Sequence, residues 1–342
     1  MANNKFGTLS KNEAIKMMLG DAGNKINAEC NFVSEKGDIV KSRSVLFLEG
    51  IDFDLTYFPL KHLGYKCVVA ATGELFAAMG RVKTLTVRIG VSSRFDFEEI
   101  KELWTGMVSA AEEFGYSGMD LDLNPSQNGL AIALSATGIT PKSTEESRPV
   151  AQSKDLVCIS GSLGAAFLGM NILDKKKREF DKSGDDNSQP DLEKYKMMIG
   201  AYLKPELNPA TVSLLENGNM YPSYGYCVKK GLADAVKQLT EDSGFGVKIY
   251  ADKIPFEGNS FSFGKEMDID PISAAMNGGE DYRLLFTIPI MKAEAFRHDF
   301  QTFDIIGHLA QKDVGAVLVT PDGLELPIKA QGWNNEEDTE QE

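Results

Sequence analysis

Apolar residues recur every three or four positions over Phe97, Ile100, Leu103, Trp104, Met107, Val108 and Ala111, the stripe of a helix packed on a core. Asp96 with Glu99 supplies a capping box at its start and Gly115 a stop, so Trp104 reads as core and not as a ligand contact. Elsewhere the period is two. Leu85, Val87, Ile89 and Val91 alternate as a strand, and residues 117–123 and 129–137 follow the same rule. Residues 38–57 read as paired strands: an apolar run from Val45 to Leu48, an interruption at Gly50, then the alternation I-D-F-D-L-T-Y. Lys61 to Gly80 is a small-residue-rich helical stretch with Gly73 and Glu74 inside an apolar run, which predicts a buried helix with one awkward polar position. Ser10 with Glu13 opens an earlier helix through Leu19.

The polar connection T-G-I-T-P-K-S-T-E-E-S-R-P divides the chain into a first domain over 1–145 and a second over 146–334, with 335–342 a disordered acidic tail. The second half opens with a strand from Asp155 to Ser160, a turn G-S-L-G, and a helix through Ala165, Phe167, Leu168 and Ile172. A glycine-containing strand-to-helix turn offers backbone N–H groups to an anion, which makes Gly161 and Gly164 candidates for phosphate binding. Asp174 to Asp191 is charged and poor in apolar residues, and is expected to form a mobile surface loop. Helices near 191–203, 208–217 and 231–242 follow, with a strand over 246–250 and a short helix over 271–276. Next comes N-G-G-E-D-Y-R-L-L-F-T (277–287), a two-glycine turn that carries adjacent carboxylates into a half-buried strand. Strands near 282–288, 303–309, 315–320 and 324–329 complete the chain, the last two joined by the hairpin signal P-D-G. Strands and helices alternate in both halves, so the fold class is α/β (α+β), two domains with mixed sheets.

Composition narrows the partners. With 42% apolar and 25% charged residues the 342-residue chain is of ordinary globular type. A formal charge of −14 opposes nucleic acid and anionic membrane. Cys30, Cys67, Cys158 and Cys227 are widely spaced and joined by only three histidines, which argues against a zinc site or a disulfide framework. The opening M-A-N-N-K-F-G lacks an apolar signal core and no stretch approaches a membrane span. A reducing cytoplasm is the expected location.

Five segments in order carry a resemblance: L-E-G-I-D-F-D-L-T-Y-F-P-L-K-H-L-G-Y-K (48–66), S-G-S-L-G-A-A (160–166), S-G-F-G-V-K-I-Y-A-D-K-I-P-F (243–256), N-G-G-E-D-Y-R-L-L-F-T (277–287) and A-Q-G-W (330–333). From about residue 8 to Trp333 the chain resembles the bacterial thiamine-monophosphate kinases of the aminoimidazole-ribonucleotide-synthetase-like superfamily. The resemblance implies that superfamily's two mixed-sheet domains, with the first domain pairing into a closed sheet across a homodimer. It also implies transfer of the γ-phosphoryl group of ATP to thiamine monophosphate, giving thiamine diphosphate, with Mg²⁺ bridging the phosphates to carboxylates.

The family's metal motifs resemble G-I-G-D-D-A-A, S-T-D, S-D-x-x-A-M, G-G-D-T and D-I-S-D-G-L. Here the Asp pair of the first falls on Ala28 and Glu29, the Asp of the second on Val45, and the Ser-Asp of the third on Gly73 and Glu74. G-G-D-T becomes G-M-D-L, which keeps Asp120 and adds Asp122. D-I-S-D-G-L becomes Cys227-Val228-Lys229-Lys230-Gly231-Leu232, so both second-domain aspartates are gone and one is a lysine.

A hard divalent cation needs several oxygen ligands. The substitutions therefore predict a homologue with degraded catalysis that retains a pocket for a small phosphorylated ligand. Lys229 and Lys230 would meet its phosphate directly, and Asp52, Glu280, Asp281 and Trp333 would form the substrate end. An active kinase with a rearranged Mg²⁺ site built from Glu29, Glu74, Asp120 and Asp122 is the alternative. A third reading is a non-enzymatic protein that pairs through its first domain, with itself or with an active kinase.

Overall fold

A computed structural model of the chain describes residues 30–183, 192–300 and 303–329, together with Ile15, Met17 and Met18. Glu29, Trp333, the acidic tail, residues 184–191 and most of the helix expected from Ser10 lie outside the described residues.

The first half runs β1 (Asn31–Val33), β2 (Ile39–Leu48), α1 (Leu60–Ala77), β3 (Arg81–Val91), α2 (Phe97–Phe114), β4 (Gly118–Pro125) and β5 (Ala131–Thr140). Its strands form one open sheet in the order β1-β2-β5-β3-β4. The β3–β4 pair, joined by α2, is parallel and the others are antiparallel. The second half follows α3 (Lys142–Glu146) with β6 (Leu156–Ile159), α4 (Ala165–Ser183), α5 (Lys196–Leu203), α6 (Thr211–Asn217), β7 (Gly225–Val228), α7 (Leu232–Ser243) and β8 (Gly246–Tyr250). It ends with α8 (Ser260–Met267), β9 (Arg283–Ile288), α9 (Ala293–Asp299), β10 (Asp304–Ala310), β11 (Ala316–Val319) and β12 (Glu325–Pro327). Here the order is β12-β11-β8-β10-β6-β9-β7, with β8 and β11 parallel. Both sheets are mixed, as the alternation of strands and helices predicts.

α1 explains how the halves meet. It is buried on nearly every side because it packs on β2, β5 and α2 of its own half and on β7 and β9 of the other. One apolar cluster therefore runs through both halves, from Phe47 and Leu63 to Leu284 and Phe286. α1 and α2 cross at two glycines. A Cβ at Gly64 would stand 2.0 Å from the Leu103 carbonyl oxygen, and one at Gly106 would stand 1.9 Å from that of Lys61. Only glycine admits that approach. α2 carries the expected capping box between Asp96 and Glu99 and ends at Gly115 with φ 80°.

Two sequence expectations fail for local reasons. I-D-F-D-L-T-Y is a turn, not a strand: Asp52 accepts the Leu48 N–H at 2.8 Å, Asp54 accepts that of Thr56 at 2.8 Å, and Gly50 takes φ 78°. Short carboxylates that bond nearby amides compete with the sheet ladder. The expected loop from Asp174 is instead the continuation of α4 to Ser183. It is laced by Arg178–Asp174 at 2.5 Å and Lys176–Glu179 at 2.7 Å, spacings that bring side chains together on a helix. Phe97, placed on the core stripe, is instead exposed. Strand β7 and helices α8 and α9 were not legible as elements. Among the described residues no helix is long and apolar enough to cross a membrane.

Candidate functional site

The turn from Asn277 to Tyr282 is bound to the loop that follows β7. Glu280 donates its amide to the Lys229 carbonyl at 2.8 Å, and Tyr282 donates to that of Val228 at 2.9 Å. Two glycines allow the approach. A Cβ at Gly279 (φ 76°) would lie 2.5 Å from the Lys229 carbonyl, and one at Gly231 (φ 91°) would lie 2.3 Å from that of Met276. Glu280 and Tyr282 also hold positive φ, 67° and 51°. Such backbone strain persists only where the surroundings over-determine it, and it concentrates at functional sites.

The two carboxylates of the turn point to different partners. Asp281 is buried and accepts the amides of Gly164 at 2.8 Å and Ala166 at 3.2 Å, capping the start of α4. Burial pushes its carboxyl up to about 6 against the pull of those amides. Gly164, expected to offer its N–H to phosphate, thus gives it to the protein's own carboxylate, and Asp281 faces inward instead of toward a substrate. Gly161, at φ 141°, leaves room for the Arg283 side chain, whose Nε would lie 3.2 Å from a Cβ there.

Glu280 meets Lys66 of α1 at 2.5 Å. The Lys66 ammonium is wholly enclosed, 3.8 Å from the Tyr202 ring centre, 5.1 Å from that of Phe58 and 5.8 Å from that of Tyr282. Its contact with Glu280 is short but not aligned as a hydrogen bond. Burial lowers the Lys66 pKa, and Glu280 opposes the shift. Three π faces and one carboxylate are what keep this charge tolerable. Lys66 was missed at the sequence level, although a lysine inside the apolar face of a buried helix is a signal in itself.

Two turns further along α1, Glu74 pairs with Lys229 at 2.6 Å. Burial works against the Lys229 ammonium, but Glu74 outweighs it and leaves the pKa raised. Lys229, expected to face phosphate, is therefore neutralised from within, while Lys230 stands exposed. Asp120 lies on edge strand β4 against Arg88 at 2.7 Å, with Asp122 at 3.9 Å from the same guanidinium. Asp52 closes its own turn. The described carboxylates do not fit a Mg²⁺ ion: Glu74 and Asp120 are each held by a cation, and no group of three or more His, Cys, Asp or Glu side chains among the described residues is arranged to hold a metal.

No family profile matches the chain. Among curated proteins, a thiamine-monophosphate kinase of Aquifex aeolicus is 23% identical over 242 residues, 70% of this chain and 73% of the relative. Another from Nitrosopumilus maritimus is 23% identical over 337 residues, 96% and 98% of the two chains. Over most of its length the chain is similar to the thiamine-monophosphate kinases. The solved structure of AaThiL complexed with AMPPCP and TMP shares its fold, with a TM-score of 0.77 at 20% identity over 98% of this chain and 100% of that one. Within this thiamine-monophosphate kinase fold the structure brings together Glu280, Lys229, Lys230 and Glu74, and leaves Asp120 paired with Arg88 on an edge strand.

Two consequences are measurable. Glu280→Gln strands the enclosed Lys66 charge and should cost about 3–5 kcal/mol in urea unfolding, whereas Lys66→Met removes that charge and leaves a partly exposed carboxylate, at about 2 kcal/mol or less. Asp281 has a folded-state pKa above its unfolded one, so its contribution to stability falls as pH rises from the ordinary carboxylate range to about 6 and is level above that. Asp281→Asn should remove this slope, on the order of 2–3 kcal/mol across the window.

Proposed function

We propose that this chain is a thiamine-monophosphate kinase homologue that keeps a pocket for a small phosphorylated ligand but does not carry out the family's Mg²⁺-dependent phosphoryl transfer at the family's rate. The Glu74–Lys229 ion pair carries the reading. The resemblance aligns position 74 with a family aspartate and position 229 with a family serine beside another, so an internal ammonium stands beside a carboxylate that would otherwise be free for a cation. A carboxylate engaged at 2.6 Å by a lysine is a poor ligand for a small, strongly hydrated dication. Phosphoryl transfer depends on such positioning, at about 10²-fold in rate for a misplacement near 1 Å.

In this reading the exposed Lys230 supplies the charge that meets phosphate, with no metal between them. ATP and thiamine monophosphate are the first ligands to test, because AaThiL was solved with AMPPCP and TMP. A homodimer belongs to the same proposal. Leu121 and Leu123, exposed on edge strand β4, are apolar positions suited to such a contact.

With Mg-ATP and thiamine monophosphate, turnover should stay far below the roughly 1–100 s⁻¹ typical of kinases. Calorimetric binding of either ligand should be as tight in EDTA as in Mg²⁺, and Lys230→Ala should weaken it by about tenfold. Turnover in the kinase range would overturn the proposal.

A further inference from the structure

We propose that the seam between the two halves holds a second ligand site, separate from the Lys230 loop, for a small molecule bearing a phosphate or carboxylate on an aromatic body, with Lys204 as its anion anchor. Lys204 ends α5, its amide bonded to the Gly200 carbonyl at 2.8 Å. Its ammonium rests 5.0 Å from the ring centre of Tyr65 on α1, and among the described residues no carboxylate pairs with it. In a chain of charge −14, an exposed ammonium that rests against a ring and has no carboxylate partner is open to an anion.

Three adjoining hollows share Lys204 as a wall. The largest, 470 Å³, is lined by Tyr65, Ser160, Leu207, Asn208, Arg283 and Phe303 beside it, a volume within the range of small-molecule sites. Two smaller ones, of 320 and 300 Å³, bring in Lys61, His62 and Lys196. Tyr65, Phe303 and Leu207, themselves largely buried, line the hollow with apolar atoms, while Ser160 and Asn208 add polar ones.

Glu113 and Glu206 balance Lys204 and Arg283 in the largest hollow, and across all three the cations Lys61, Lys196, Lys204 and Arg283 exceed the acids Glu113, Glu193 and Glu206 by one charge. Glu113 accepts the Tyr65 hydroxyl at 2.9 Å. Glu206 is 3.9 Å from the Arg283 guanidinium and turned mostly to solvent, so Arg283 is held chiefly by the carbonyls of Ser162 and Glu206, at 3.3 and 3.0 Å. Glu193 lines the smallest hollow and Glu102 lies near His62. Burial depresses the His62 imidazole, Lys204 and Lys61 depress it further, and Glu102 only partly opposes them. The His62 Nδ1 has no hydrogen-bond partner.

The test is calorimetric titration of the whole protein in EDTA with phenyl phosphate and, separately, benzoate, which distinguishes the two anion chemistries. Saturable binding of at least one is expected. Lys204→Met should weaken it by about tenfold, Asn208→Asp, which adds a negative charge to the hollow and keeps the turn's acceptor, by about fivefold, and Lys204→Arg should keep it within about threefold. The Lys204-dependent part of the binding should be unchanged in Lys230→Ala, which separates this site from the one above. No saturation of either probe by about 10 mM, or binding that ignores Lys204→Met or follows Lys230→Ala instead, overturns the proposal.

Discussion

Ion pairs that reach from one buried helix into the loops of the opposite sheet hold the candidate site in shape. α1 packs on both sheets, so it has almost no surface on which a charge can meet water. Its two inward charges are met across the seam, Lys66 by Glu280 and Glu74 by Lys229. Taking an ammonium into such an interior costs several kcal/mol unless a counter-charge and polarizable surfaces replace its water. Here the counter-charge comes from a residue at φ 67°, on a turn fastened to the loop after β7. The strain of the turn, the close glycines and the aromatic box around Lys66 all serve to place those carboxylates and ammoniums.

Much of the fold was legible because it rests on periodicity and punctuation. The helix from Phe97 with its capping box and glycine stop, the alternating strand through Ile89, the buried helix after Leu60 and the final hairpin follow from spacing alone. The failures came where side chains act on nearby backbone or on each other. Asp52 and Asp54 turn an alternating segment into a loop, and ion pairs extend α4 through a stretch whose composition suggested a mobile loop. β7 is four residues long and begins at a glycine, too short for alternation to declare itself.

N-G-G-E-D-Y was legible as a two-glycine turn with adjacent carboxylates, but nothing in the sequence says which of the two looks inward. Asp281 caps α4 through the amides of Gly164 and Ala166, and so takes up the anion position that the G-S-L-G turn offered. Lys229 likewise is paired with Glu74 of α1. A long-range pairing of this kind depends on which helix face meets which loop, and a one-dimensional pattern does not contain it. The outcome is a fold shared with thiamine-monophosphate kinases in which Glu74 of α1 and Lys229 of the β7 loop are joined to each other across the seam.

The most direct test of that account is a double-mutant cycle on Glu74 and Lys229, using Glu74→Gln and Lys229→Met, with unfolding measured in EDTA and again in Mg²⁺. The account predicts a coupling on the order of 1–2 kcal/mol that is the same in both. Absence of coupling, or stabilisation of the unmutated protein by Mg²⁺ that vanishes with Glu74→Gln, would show that this carboxylate serves a metal and not the lysine.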